Sequence, residues 1–287
     1  GDFCSILNLS RKRVCMYFQI KRIIGYMLGF ILFYAPGALF TKAIFYLFGR
    51  DINEISIHSS CFRIQIEHLL DGKFFAMDIA FVSFLVVLGI ISFFKGAIFC
   101  GKLCPAGAST EYLSRLIPTK YKINWSKYVD ITPIRYGMLT GYMILPFFGG
   151  LLACNYCNFY LFDLFTNYFI WGYFISLTST LIITTFVWVI ILGLFTQGGR
   201  GYCNFLCPVG AVQNLIHALG CKFDFVSRIN IDKTKCIGCQ KCSKVCPMES
   251  IKIVQNKAQT NVYNCIICEE CVYNCPVKAV SYGKREK

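Results

Sequence analysis

Eight cysteines near the C-terminal end carry the first chemical signal. They lie in two runs, Cys236-Ile-Gly-Cys239-Gln-Lys-Cys242-Ser-Lys-Val-Cys246-Pro247 and Cys265-Ile-Ile-Cys268-Glu-Glu-Cys271-Val-Tyr-Asn-Cys275-Pro276. Each reads C-x2-C-x2-C-x3-C-P, and the second repeats the first after 29 residues. A cubane iron–sulfur cluster needs four thiolates around one small volume, and this spacing supplies three from one loop and the fourth from the other run. The spacing therefore predicts one 4Fe-4S cluster on Cys236, Cys239, Cys242 and Cys275, and a second on Cys265, Cys268, Cys271 and Cys246. A zinc site would use four ligands and leave the other cysteines unexplained. The expected chemistry is one-electron transfer, in which the protein tunes a potential through burial and hydrogen bonds to sulfur.

A second duplication precedes these runs. Phe99-Cys100-Gly-Lys-Leu-Cys104-Pro105-Ala-Gly107-Ala108 matches Tyr202-Cys203-Asn-Phe-Leu-Cys207-Pro208-Val-Gly210-Ala211 at an offset of 103 residues. Both copies are C-x3-C-P. Soft thiolates at matched spacing suit a third redox centre, iron–sulfur or otherwise, or a copper site, or thiol–disulfide exchange. The alternative is four small buried side chains. Lys102 and Arg200 stand beside the two pairs and are expected to favour thiolates there.

The elements around these motifs read as membrane spans. The mean hydropathy is +0.54 and 56% of residues are hydrophobic, too apolar for a soluble domain. Four apolar stretches are long enough for a crossing, which takes roughly 20 residues: Ile23 to Phe48, Phe74 to Phe99, Ile134 to Ala153 and Phe169 to Thr196. Pro36, Gly37 and Lys42 are placed to kink the first or end it early. Apolar residues at helical spacing follow each C-x3-C-P: Tyr112, Leu113, Leu116 and Ile117, then Val212, Leu215, Ile216 and Leu219. These predict helices along the membrane surface. The implied unit is two spans, a cysteine turn and a surface helix, present twice about an axis along the membrane normal.

The net charge of +14 is read as topology. Lys and Arg crowd the N-terminal segment, the loop after the second span and everything beyond Arg200. The positive-inside rule then places both termini and the middle loop in the cytoplasm, with the chain multi-pass in the cytoplasmic (inner) membrane. No basic face with interleaved aromatics stands clear of that signal, so no nucleic-acid partner is expected. No cleavable leader is evident, and the basic stretch before Ile23 reads as the start of a retained span. Gly198-Gly199-Arg200-Gly201 lacks the strand and following acid of a dinucleotide turn. The expected domains are a basic cytoplasmic segment 1–22, a four-span membrane domain 23–220, and a cluster-binding domain 221–287. The fold class is thus a polytopic α-helical membrane protein with two-fold internal repeat and a C-terminal α+β two-cluster ferredoxin domain.

Two C-x3-C-P motifs at the inner face, four spans and a C-terminal two-cluster ferredoxin resemble the NapH-type membrane polyferredoxins. Similar architectures occur in the regulator of nitrous oxide reduction, the methylamine-utilisation ferredoxin and the CcoG (FixG) proteins. The resemblance covers nearly the whole chain. It implies a membrane subunit of a redox complex that moves electrons from a quinol pool, or a cytoplasmic donor, towards a partner oxidoreductase. Through the CcoG branch it implies cupric-ion reduction at the C-x3-C-P thiolates. Cys154 and Cys157 depart from the usual pattern.

Cys154-Asn-Tyr-Cys157, at the outer end of the third span, reads as a disulfide couple, half a metal site, or two unrelated cysteines. If the apolar stretch around it re-enters the membrane, the pair becomes a stepping stone for electrons and the chain a transmembrane thiol reductant. Asp163, the only acid between Asp130 and Asp224, reads as a polar cap at the outer interface or as part of a proton path or quinone site. His58 and His68, with Glu67 and Asp71, read as surface residues of the outer segment rather than haem ligands. Cys4, Cys15, Cys61 and Cys221 have no spacing partners and receive no role. From Arg228 onward, eleven Lys or Arg face five acids. That excess suits an acidic electron-transfer partner or the anionic leaflet equally well.

Overall fold

A computed structural model of the protein describes residues 9–34, 38–49, 79–144, 161 and 179–285. Helix α1 runs over Leu9–Phe33 and α2 over Leu39–Leu47. The stretch from Ile23 to Phe48 is divided between these two helices, as the placing of Pro36 and Gly37 leads one to expect. Helix α1 starts within the basic segment and stops at Phe33, and Ala38 takes a left-handed φ of 40° before α2. Lysine and arginine are good helix formers, so charge does not mark a helix start. Arg22, in the basic segment, is 2% exposed.

Helix α3 (Ile79–Lys95) leads into a π-helical turn at Phe99–Leu103 and then α4 (Pro105–Ser114). Helix α5 (Ile131–Ile144) follows. Helix α6 (Ser179–Thr185) continues as a π-helix over Phe186–Leu194, then α7 (Gly201–Phe205) and α8 (Pro208–Gly220) complete this part. Among the described residues, one helix is long and apolar enough to cross a membrane, Arg13–Phe33. The apolar helices Ile79–Lys95 and Ile182–Leu194 are shorter.

Helices α4 and α8 are built inside out. Thr110, Glu111 and Ser114 are buried on α4, and Gln213, Asn214 and His217 on α8, while Leu113, Leu215 and Leu219 are exposed. A water-facing helix shows the reverse arrangement.

The C-terminal part holds two antiparallel strand pairs. β1 (Arg228–Ile231) pairs with β4 (Val280–Gly283) in the register Ile229 to Tyr282, and β2 (Ile251–Val254) pairs with β3 (Lys257–Thr260) in the register Ile253 to Ala258. Two short helices, α9 (Lys241–Lys244) and α10 (Glu270–Tyr273), each follow a cysteine loop. The 29-residue repeat extends to the backbone. Gly238 and Ile267, Gln240 and Glu269, and Glu249 and Lys278 are three pairs at that offset, and all six have positive φ. Left-handed non-glycine residues are costly and persist only where surrounding contacts determine them. Here they fold both cysteine loops to one shape.

Candidate iron–sulfur centres

The two cysteine loops curl around two separate cavities. One is lined by Cys236, Cys239, Cys242 and Cys275, the other by Cys246, Cys265, Cys268 and Cys271. Each cavity thus takes three sulfurs from its own loop and one from the other run. No three His, Cys, Asp or Glu side chains among the described residues converge tightly enough to hold a metal ion directly. Sulfurs spread around a cavity suit a cluster better than one ion.

Backbone N–H groups already point at sulfur. Ser250 donates to Cys246 Sγ at 3.4 Å, and Ala279, its partner in the repeat, donates to Cys275 Sγ at 3.2 Å. Burial pushes the Cys265 thiol up to about 12, against the pull of the Ile267 amide. A thiol so buried stays protonated alone and ionises when metal binds.

The two C-x3-C-P motifs meet each other. Cys104 and Cys207 cap α4 and α8, each followed by Pro at the first helical position. A Cβ added to Gly107, in the first motif, would lie 3.1 Å from Sγ of Cys203 and 2.8 Å from an Arg200 nitrogen. A Cβ at Gly210, in the second, would lie 3.8 Å from Sγ of Cys100 and 2.8 Å from Nη2 of Arg135. Each first cysteine therefore faces the helix start of the other motif, where the arginine beside it leaves little room for a side chain. Gln213 donates to Cys100 Sγ at 3.1 Å.

Arg200 favours the thiolate at Cys203, as its place in the sequence suggests, but it is outweighed there. Burial dominates and pushes the Cys203 thiol up to about 12. Burial likewise raises Cys100 well above the ordinary thiol value. Lys102 instead pairs with Glu269. Burial keeps these thiols protonated on their own, and a bound metal would ionise them.

A buried charge network docks the two parts. Glu111 on α4 takes Arg22 at 2.9 Å, Arg115 at 2.8 Å and Arg200 at 2.6 Å. Arg22 also binds Glu270, which accepts from Arg115 at 2.9 Å and from Gln19 at 2.8 Å. Tyr26 joins Arg22 and Arg200 through its hydroxyl and donates to the Gly101 carbonyl at 2.6 Å. Glu269 and Glu270 sit inside the Cys268-Glu-Glu-Cys271 loop, so the ion pairs grip the second sulfur set itself. Cys100 shares one packed core with Cys246, Cys268 and Cys271, and Cys203 packs against it. Burial alone would raise the Glu111 carboxyl, but the three guanidiniums overcome it and hold it at about 2.

Sequence reasoning missed Arg22, Glu111, Arg135 and Glu270. Glu111 had a signal, being the only acid between Asp78 and Asp130. Cys154, Cys157, Asp163, His58, His68, Glu67, Asp71, Cys4 and Cys61 lie outside the described residues. Cys221 approaches His217 Nε2 at 3.4 Å, and Cys15 is disulfide-bonded.

Comparison with known families returns iron–sulfur domains at both C-x3-C-P motifs and at both ferredoxin runs. A 4Fe-4S dicluster domain model matches residues 228–276, and a 4Fe-4S binding domain model matches twice, at 77–124 and 178–225. The methylamine utilization ferredoxin-type protein MauN of Methylobacillus flagellatus is 27% identical over 69% of this chain and 65% of its own. The ferredoxin-type protein NapH of Haemophilus influenzae is 26% identical over 64% of this chain and 57% of its own. The putative electron transport protein YccM of Escherichia coli is 27% identical over 62% and 49%. The chain therefore spans between about half and two thirds of the length of these three relatives. No solved structure matches it significantly.

Proposed function

We infer, from a chain that is a ferredoxin-type polyferredoxin of the NapH kind, that it relays electrons as the membrane subunit of a redox complex. In this reading it crosses the cytoplasmic membrane four times with both termini inside. It accepts electrons from a quinol pool or a cytoplasmic donor and passes them to a partner oxidoreductase. Outward-facing apolar residues on α4 and α8, over polar interiors, support a lipid surround. The twice-matched 4Fe-4S model, with one C-x3-C-P inside each match, supports a third centre on Cys100, Cys104, Cys203 and Cys207.

The observation that carries the proposal is the shared core of Cys100, Cys203 and Cys268. The sulfur set that ends the ferredoxin part is packed against the membrane motifs rather than held on a tether. Bound clusters supply one-electron transfer, and the chain supplies everything else. Its cysteines hold the centres, the Ser250 and Ala279 amides stabilise charge on sulfur, and the Glu111 and Glu270 ion pairs fix the distance between centres. Ile266 and Ile267, both 1% exposed, exclude water from the junction.

The test is iron and acid-labile sulfide on anaerobically purified protein beside a Cys100→Ser/Cys203→Ser variant. Three cubanes predict about 12 Fe per chain, falling to about 8 in the variant. About 8 in both would remove the third centre and leave the four thiols to copper or thiol chemistry.

A further inference from the structure

One buried charge is left over beside the four C-x3-C-P cysteines. Arg135, on α5, is 1% exposed, and none of its three guanidinium nitrogens has a hydrogen-bond partner among the described residues. Its Nη2 approaches Gly210 at the start of α8, the point that Cys100 Sγ also faces. An isolated ion in a protein interior costs several kcal/mol unless something neutralises it.

The duplication shows what is missing. Arg200 stands to Gly107 as Arg135 stands to Gly210, each 2.8 Å from the Cβ position. In the first copy Glu111 neutralises Arg200. The equivalent residue, 103 positions on, is Asn214, whose amide is buried and also unpartnered. A guanidinium thus stands at each glycine, although Arg135 and Arg200 do not correspond in the repeat, and the carboxylate of the first copy is replaced by an amide in the second. Both helix starts, α4 and α8, add their positive ends to the same place. The surplus is positive and lies at the point that the Cys100 sulfur faces.

We propose that Arg135 is the counter-charge of an anionic metal–thiolate centre on Cys100, Cys104, Cys203 and Cys207, and that it sets that centre's potential above what the cysteines alone would give. The inference rests on the third centre proposed above. Adding an electron makes the centre more negative, and a fixed positive charge beside it stabilises the reduced form more than the oxidised one. Replacing Glu111 by Asn214 in the second copy leaves that charge free to act. Arg135 is a positioning residue: it holds charge near the sulfurs and binds no substrate.

The experiment is a redox titration followed by electron paramagnetic resonance on the detergent-solubilised holoprotein, with iron counted on the same samples. In Arg135→Gln the third centre should titrate at a more negative potential, with both ferredoxin signals unmoved. Arg135→Lys, which keeps the charge but not the planar fork, should titrate like the wild type. Asn214→Asp restores a carboxylate to the second copy and should shift the potential in the same direction as Arg135→Gln. It also keeps the proposal testable if the Arg135→Gln protein does not accumulate. A third signal whose potential stays fixed in Arg135→Gln and Asn214→Asp overturns the inference while leaving the third centre standing. Equal shifts in Arg135→Lys and Arg135→Gln overturn it too, because packing rather than charge would be the cause. A wild type with about 8 Fe and no third signal removes the centre itself, and the inference with it.

Discussion

Glu111→Ala is expected to destabilise the holoprotein by about 3–5 kcal/mol, the usual cost of leaving buried charges without their partner. Three arginines converge on this one carboxylate, and two of them, Arg22 and Arg200, are themselves buried. Glu270 still holds Arg22 and Arg115 after the change, so the stranded charge is mainly Arg200. The check is thermal loss of the visible iron–sulfur absorbance in detergent. A melting temperature equal to wild type would show that the network contributes nothing. Acid should act in the same sense. The folded carboxyl sits at about 2 against an ordinary 4.5, so its contribution is present above 4.5 and is lost as pH falls towards 2. Glu111→Gln should flatten that part of the pH profile.

Gly101→Ala is expected to part the ferredoxin loop from the first C-x3-C-P without costing either ferredoxin sulfur set. A Cβ there would lie 2.1 Å from the Ile266 carbonyl oxygen and 3.1 Å from the Cys268 amide nitrogen. Both neighbours are backbone, so no side chain can swing aside. Overpacking of this kind costs about 3 kcal/mol, enough to raise protease cleavage through the undocked state about a hundredfold. Cleavage would be read at residues 221–227, between the two parts, with iron content as the control for cluster loss. Gly137→Ala is the matched neutral change, because nothing lies within 4 Å of its Cβ position. Equal cleavage of the two variants would mean that the Gly101 contact does not hold the parts together.

These effects differ in how visible they were beforehand. The cysteine runs were legible because a cluster loop is local: three sulfurs and the turn between them fit in seven residues, and the fourth is announced by its own proline. The repeat at 29 residues was legible for the same reason, although its matching left-handed positions, Gln240 with Glu269, carry no such signature. Spans were less well read. Hydropathy found the apolar part of α1 but not its basic first turns, because a helix continues through Lys and Arg without a mark. Proline at position 36 showed that the long first stretch would break.

Motif identity, cofactor type and internal duplication were thus determined by the chain's sequence, since each depends on spacing along a few residues. The tertiary structure decided which charges meet. Arg22 and Glu270 are 248 residues apart, and Arg22 and Glu111 are 89 apart. No period or motif relates such positions, and Glu270 alone reads as a solvated charge between two cysteines. Only packing brings α1 and α4 against the second sulfur loop. Burial then turns weak surface charges into strong ones, because an ion removed from water must find its partner inside the fold. The same burial isolates Arg135, whose free charge beside four sulfurs is visible only once the two halves of the duplication face each other.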